Sequence, residues 1–173
     1  MTVRPTDKMN ISLTYRSEVD LGVEGHAALS SSFPPAGFPR TYDGDTGVEI
    51  PLPAILAAAV SYTFFDQLTV ELEYDRTFWS DYENLDFTYP VSLVNPVLTR
   101  AFDNPVVKHW DDTDSWRLSV TYDLKNNWIL MAGFGIDENP IPSSTVGFEL
   151  PDSDALLYSA GVRYKINNDM EVG

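Results

Sequence analysis

The sequence predicts an all-β fold: an antiparallel up-and-down transmembrane β-barrel, with these 173 residues forming a partial barrel of about six to seven strands. Three observations predict it. Apolar and polar residues alternate with the period of two that a strand imposes, in segment after segment. The alternating segments run to about a dozen residues, roughly twice the usual strand. Short and long connections alternate, so an up-and-down ribbon would gather every short turn at one end and every long loop at the other, as membrane barrels do.

Each element follows from this pattern. "PTDK" (Pro5 to Lys8) reads as a turn. The strand after it puts Ile11, Leu13 and Tyr15 on one face and Ser12, Thr14 and Arg16 on the other, and extends towards Ala27. Proline, glycine and aspartate make Ser30 to Gly47 a long loop. A strand over Val48 to Phe64 aligns Leu56, Ala58, Val60 and Tyr62, and "FDQ" turns the chain. The next strand, from Leu68 to Trp79, sets Leu68, Val70, Leu72 and Tyr74 against Thr69, Glu71, Glu73 and Asp75. A second long loop spans Tyr89 to Asp114. The hairpin "SWRLSVTYDLKNNWILMAGFGID" then supplies two strands around Lys125 to Asn127. A third loop runs from Glu138 to Asp154. The last full strand aligns Leu156, Tyr158, Ala160, Val162 and Tyr164, and the chain turns again at Asn167 to Asp169.

Bulk composition narrows the function classes. With 26 acidic against 11 basic side chains the formal net charge is −15, which repels phosphate backbones, so a nucleic-acid partner is not expected. Cysteine is absent, which excludes disulfides and thiol chemistry. No apolar run approaches the ~18 residues of a membrane helix, but a membrane strand needs only about 9–11 residues with alternate ones apolar.

Alternation is also compatible with a soluble β-sandwich, whose apolar faces pack on each other. Two features favour the barrel. Aromatic residues gather at strand ends: Tyr62, Phe64, Phe65, Tyr122, Trp128 and Tyr164 near the short turns, and Phe78, Trp79, Tyr82, Trp110 and Trp116 near the long loops, as two interfacial girdles would require. The polar faces carry charge in mid-strand, at Glu71, Glu73, Arg117 and Arg163, the candidates for a charged lumen wall.

Catalytic and metal chemistry find little support. His26 and His109, the only histidines, fall in or beside loops, with no HExxH pattern, so neither a zinc site nor a Ser-His-Asp set is expected. Glycines 133 and 135 lie inside a strand with no helix after them, which excludes a phosphate loop. Glu71, Glu73 and Asp75 could suggest glycosidase carboxylates, but a charged wall explains them more simply. "DDTD" lacks the glycine and distal glutamate of a calcium loop. No catalytic residue, metal ligand or cofactor is therefore assigned.

Several tags in order resemble the FadL/TodX family of outer-membrane transporters of long-chain fatty acids and other hydrophobic compounds. They are "YRSEVDLGVEG", "VEIPLPAILAAAVSYTFFDQLTVELEYDRTFWSDYENL", "DDTDSWRLSVTYDLKNNWILMAGFGIDENPIP" and "LPDSDALLYSAGVRYKI". The resemblance implies a bacterial outer-membrane location and passive uptake without chemistry. A hydrophobic small molecule or fatty acid would be captured by the loops and released sideways through the barrel wall. It further implies that residues 1–173 are part of a single barrel domain, from about strand seven to early strand thirteen of fourteen. The N-terminal hatch would be absent, and the missing strands, or self-association, would be needed to close the sheet. Outer-membrane lipid and lipopolysaccharide are the implied surroundings. The apolar content of the second loop makes Leu93, Val94, Leu98 and Phe102 candidates for a substrate entrance. Two alternatives stand beside this reading: a soluble or surface all-β binding module, possibly carbohydrate-directed, and a small eight-stranded structural barrel.

Overall fold

A computed structural model describes residues 1–147, 152–167 and 169–173. Its main element is an eight-stranded antiparallel sheet in the order β1 (Thr2–Thr6), β2 (Met9–Arg16), β5 (Ile55–Phe64), β6 (Leu68–Thr77), β10 (Thr113–Asp123), β11 (Trp128–Asp137), β12 (Ala155–Lys165) and β13 (Glu171–Val172). The intervening hairpin, β3 (Val19–Ser30) with β4 (Thr41–Leu52), continues β2 and β5 beyond the sheet. The short segment β8 (Phe87–Thr88) pairs on its edge, and β7 (Asn84–Leu85) pairs with β9 (Val106–Val107).

Short turns join β2 after β1, β6 after β5, β11 after β10 and β13 after β12, and the long connections all leave the opposite end. The expected asymmetry is therefore present. One cross-strand row runs Met9, Tyr62, Val70, Val120, Ala132, Ala160. Met9 opens its strand, whereas Ala160 lies in the middle of β12. The strands are thus staggered across the sheet, the shear that a barrel needs to close.

The register puts every apolar set on one face. Leu118 faces Leu72 and Phe134, Leu130 faces Tyr122 and Val162, and Trp116 faces Tyr74 and Ile136. Among the described residues no second sheet packs on this face: Leu118, Leu130 and Val162 remain 43%, 46% and 46% exposed. A sandwich would bury them. A sheet that leaves its apolar face uncovered fits a lipid surround instead.

The structure refines several boundaries. Thr2–Thr6 forms an edge strand that the alternation did not mark. Much of the loop expected over Ser30 to Gly47 is strand, because β4 begins at Thr41 and its hairpin partner holds it in register from Ser30↔Thr41 to Val19↔Leu52. The single strand expected over Val48 to Phe64 is two. Pro53 has no N–H to give the ladder, so pairing lapses at residues 53 and 54 and resumes at Ile55↔Arg16. The strand from Leu68 stops at Thr77 rather than Trp79. A helix, α1 (Pro96–Phe102), lies in the second loop, where only a long loop was expected. Its start has a local cause: the Asn95 side chain accepts from the Val97 amide, and Pro96 occupies the first turn, where its missing N–H costs nothing. The tag residues at 150 and 151 and part of the turn at 167–169 lie outside the described residues.

The girdles also need correction. On the apolar face, Trp116 stacks near Tyr74 with ring centroids 4.7 Å apart, and Trp128 near Tyr164 at 4.7 Å. Trp116, Trp128 and Tyr164 keep the strand-end places that the sequence suggested, and Tyr74 joins them. Tyr82 and Trp110 do not: they are 2% and 5% exposed and form a small core with Ile141, against which Trp79 and Leu85 pack. The long connections bury part of their aromatic surface on one another.

Candidate functional site

The polar face of the main sheet carries the mid-strand charges. Arg117 lies directly opposite Glu73 in register but turns to two diagonal carboxylates, ion-pairing with Asp75 and, at 3.2 Å, with Asp137. Flanked by strands on both sides, a long guanidinium reaches both diagonals, and its planar fork satisfies two acceptors at once. Arg163 lies elsewhere, 3.1 Å from Glu171 on the edge strand. Lys165 pairs with Asp123 at 3.0 Å. Among the described residues neither Glu71 nor Glu73 has a cationic partner. The four charged candidates thus share a face but form no single network. The partners Asp75, Asp137 and Glu171 could not be singled out, because nothing in a linear sequence marks a diagonal contact.

Removing the cation strands two carboxylates. Arg117→Met is expected to destabilise the sheet by about 1–3 kcal/mol, the loss being moderated because the side chain is 40% exposed. Chemical denaturation of the full-length protein in vesicles checks this; a neutral result would mean that the pairing is only incidental.

At the long-loop end of the apolar face, Arg76 binds Asp112 at 3.1 Å and Asp114 at 3.0 Å, and the Tyr74 hydroxyl donates to Asp114 at 2.8 Å. Ser80 donates to Asp112 from both its amide and its hydroxyl. Burial works against a charge on Asp112, but the Ser80 donors and Arg76 outweigh it and hold the carboxyl below the usual carboxylate range. Asp112 and Asp114 of the "DDTD" stretch are thus engaged with an arginine, a serine and a tyrosine.

The loop candidates divide. Leu93 and Leu98 are buried, at 6% and 2% exposure, and pack the α1 segment. Val94 and Phe102 remain exposed, as do Val91, Val97 and Phe33. The second loop is tied to the first: the Asn95 side-chain amide donates to the Pro39 carbonyl at 2.8 Å, and Tyr89 meets Tyr42 edge-on at 5.4 Å. Sequence reasoning missed this tie because its partners lie 56 residues apart.

On the outer hairpin, His26 lies 2.8 Å from Asp43 and 3.6 Å from Asp45. Hydrogen bonding to Asp43, then to Asp45, raises the imidazole above its usual value of about 6.5. A raised native value means that the pairing stabilises the hairpin fully below about pH 6.5 and is lost as pH rises through that value. We expect an NMR titration of His26 to show the raised midpoint and Asp43→Asn to lower it; identical curves would contradict the pairing.

With this geometry in place, the sequence was compared with known proteins. A sequence model of the family described as "Outer membrane protein transport protein (OMPP1/FadL/TodX)" matches residues 1–173. The chain belongs to this family. The long-chain fatty acid transport protein of Escherichia coli O6:H1 is 24% identical over 173 residues, covering 92% of this chain and 36% of that protein. Among solved structures, a Pseudomonas aeruginosa FadL homologue superposes with a TM-score of 0.78 at 16% identity, covering 98% of this chain and 40% of its own. The CymD monoaromatic hydrocarbon channel superposes at 0.61 with 20% identity, covering 96% of this chain and 41% of that one. These likenesses establish the barrel architecture, and the sheet described above is an unclosed part of it. The chain spans about two-fifths of the length of these structural relatives.

Proposed function

We propose that the intact protein is a passive route by which hydrophobic molecules, such as long-chain fatty acids or aromatic hydrocarbons, enter through the outer membrane. Residues 1–173 supply about strands seven to early thirteen of its fourteen-stranded barrel. The observation that carries this reading is the two-faced sheet: a continuous apolar face on one side, and on the other a polar face with Glu71, Glu73, Arg117 and Arg163. We assign that polar face to the lumen.

The loop cluster supports capture. Val91, Val94 and Phe102 are exposed on a segment held to the first loop, so a greasy molecule meets apolar surface before it meets the lumen. Release sideways through the wall follows from the physics of the cargo. A hydrophobic molecule gains nothing from a water-filled channel and gains by entering acyl chains. No proton transfer or covalent step is needed, and no cofactor is invoked. Lipid and lipopolysaccharide are the surroundings that the lipid-facing wall would meet.

Uptake of radiolabelled fatty acid and of toluene by cells expressing the full-length protein tests the proposal. Both rates should exceed those of cells lacking it, and Val94→Asp with Phe102→Asp should slow uptake at limiting substrate. Rates equal to the empty control would end the proposal. A soluble binding module would instead leave Trp116 and Trp128 fluorescence untouched by brominated lipid.

A further inference from the structure

One concavity, of about 400 Å³, opens on the polar face at mid-sheet. Its origin lies in the sequence Gly133-Phe134-Gly135. Alternation sends Phe134 to the lipid side and leaves two residues without side chains on the other. Across β12, Leu157 faces Gly135 and Ser159 faces Gly133. A Cβ on Gly135 would stand 3.4 Å from the Leu157 side chain, and one on Gly133 would stand 2.6 Å from the Ser159 hydroxyl. The missing side chains thus expose backbone and the flank of Leu157, and the hollow is mostly apolar on an otherwise polar wall. Its size lies within the range of small-molecule sites, roughly 300–1,000 Å³.

The rim is charged, and its charges without an ion-pair partner among the described residues are acidic. Glu71 and Glu73 border the hollow without a cationic partner among the described residues. Arg117 also borders it, but each of its terminal nitrogens is paired with a carboxylate, Asp75 and Asp137, which together outweigh its charge. Arg163 is taken by Glu171. An anion entering this hollow meets two free carboxylates and no free cation, inside a wall that focuses their field. An uncharged apolar group meets a mostly apolar floor.

We infer that this glycine-floored notch is a subsite for uncharged apolar molecules, with Glu71 and Glu73 acting as specificity-determining residues that disfavour carboxylates. The inference rests on the proposed function, in which the polar face lines the transport path. It deepens that reading by favouring neutral cargo over fatty-acid anions at this wall.

The test uses purified full-length protein and two ligands of equal chain length, 1-dodecanol and ionised dodecanoate, each displacing a neutral fluorescent probe, N-phenyl-1-naphthylamine, at pH 8. Dodecanol should displace the probe at a concentration roughly tenfold lower than dodecanoate, the lower end of what a focused field achieves. Glu71→Gln combined with Glu73→Gln should close most of that gap. Gly135→Leu should weaken both ligands, because the new side chain fills the hollow while its Cβ makes only ordinary contacts. The single variant Glu71→Gln, at an exposed position, serves if the double variant does not fold, and should halve the gap or better. A parent protein that prefers dodecanoate, or a gap that neutral variants leave unmoved, overturns the inference. Displacement as expected without cellular uptake of either ligand overturns the transport reading and leaves the subsite standing.

Discussion

Val120→Arg should cost the barrel about 2–4 kcal/mol of folding stability in a bilayer, the penalty for a cation at the midplane of a lipid-facing wall. Val120 lies in a cross-strand row with Val70, Ala132 and Ala160, between the Trp116–Tyr74 pair towards the long loops and the Trp128–Tyr164 pair towards the short turns. Its neighbour Thr121 points to the other face, so Thr121→Arg should stay within about 0.5 kcal/mol. Urea-dependent folding of the full-length protein into vesicles measures both. Equal losses at the two positions would mean that the faces have been assigned wrongly, and with them the path through which cargo is proposed to move.

Trp110→Ala should loosen the long-loop end by about 3–5 kcal/mol, as truncating a large buried aromatic does. The Trp110 ring meets Trp79 at 5.2 Å and Tyr82 at 5.0 Å, both edge-on, and packs with Ile141. Its buried indole N–H has no acceptor among the described residues, so Trp110→Phe keeps most of the packing at little hydrogen-bonding cost. Phe should therefore be far milder than Ala. Near-UV circular dichroism during heating reads the ring cluster directly, and limited proteolysis reads the loops. If Ala melted no earlier than Phe, the cluster would not be holding these connections together.

The contrast between these two sites shows what could be read in advance. Val120 was legible because Trp116, Leu118, Val120 and Tyr122 alternate with Arg117, Ser119 and Thr121, and the backbone of a strand converts that alternation into two faces without help from the rest of the chain. Trp110 was misplaced at a girdle because a tryptophan beside a loop has the same local signature whether it meets headgroups or other rings. The start of α1 was written in Asn95-Pro96 and went unread, since seven residues give too few turns for helical periodicity. The split between β4 and β5 was likewise written in Pro53.

By itself, the sequence determined the long strands of the main sheet, their two faces, the alternation of short turns and long loops, and the acidic charge. All of these arise within a few residues of backbone or from composition. Only the tertiary structure decided that Arg117 binds Asp75 and Asp137 while Glu73, directly opposite it, has no cationic partner among the described residues. It also decided that Leu93 and Leu98 are buried while Val94 is not, and that two glycines open a hollow against Leu157. The physical reason is range. A period of two is set by neighbouring peptide units, whereas a diagonal ion pair, a loop core and a cavity depend on register and on segments tens of residues apart.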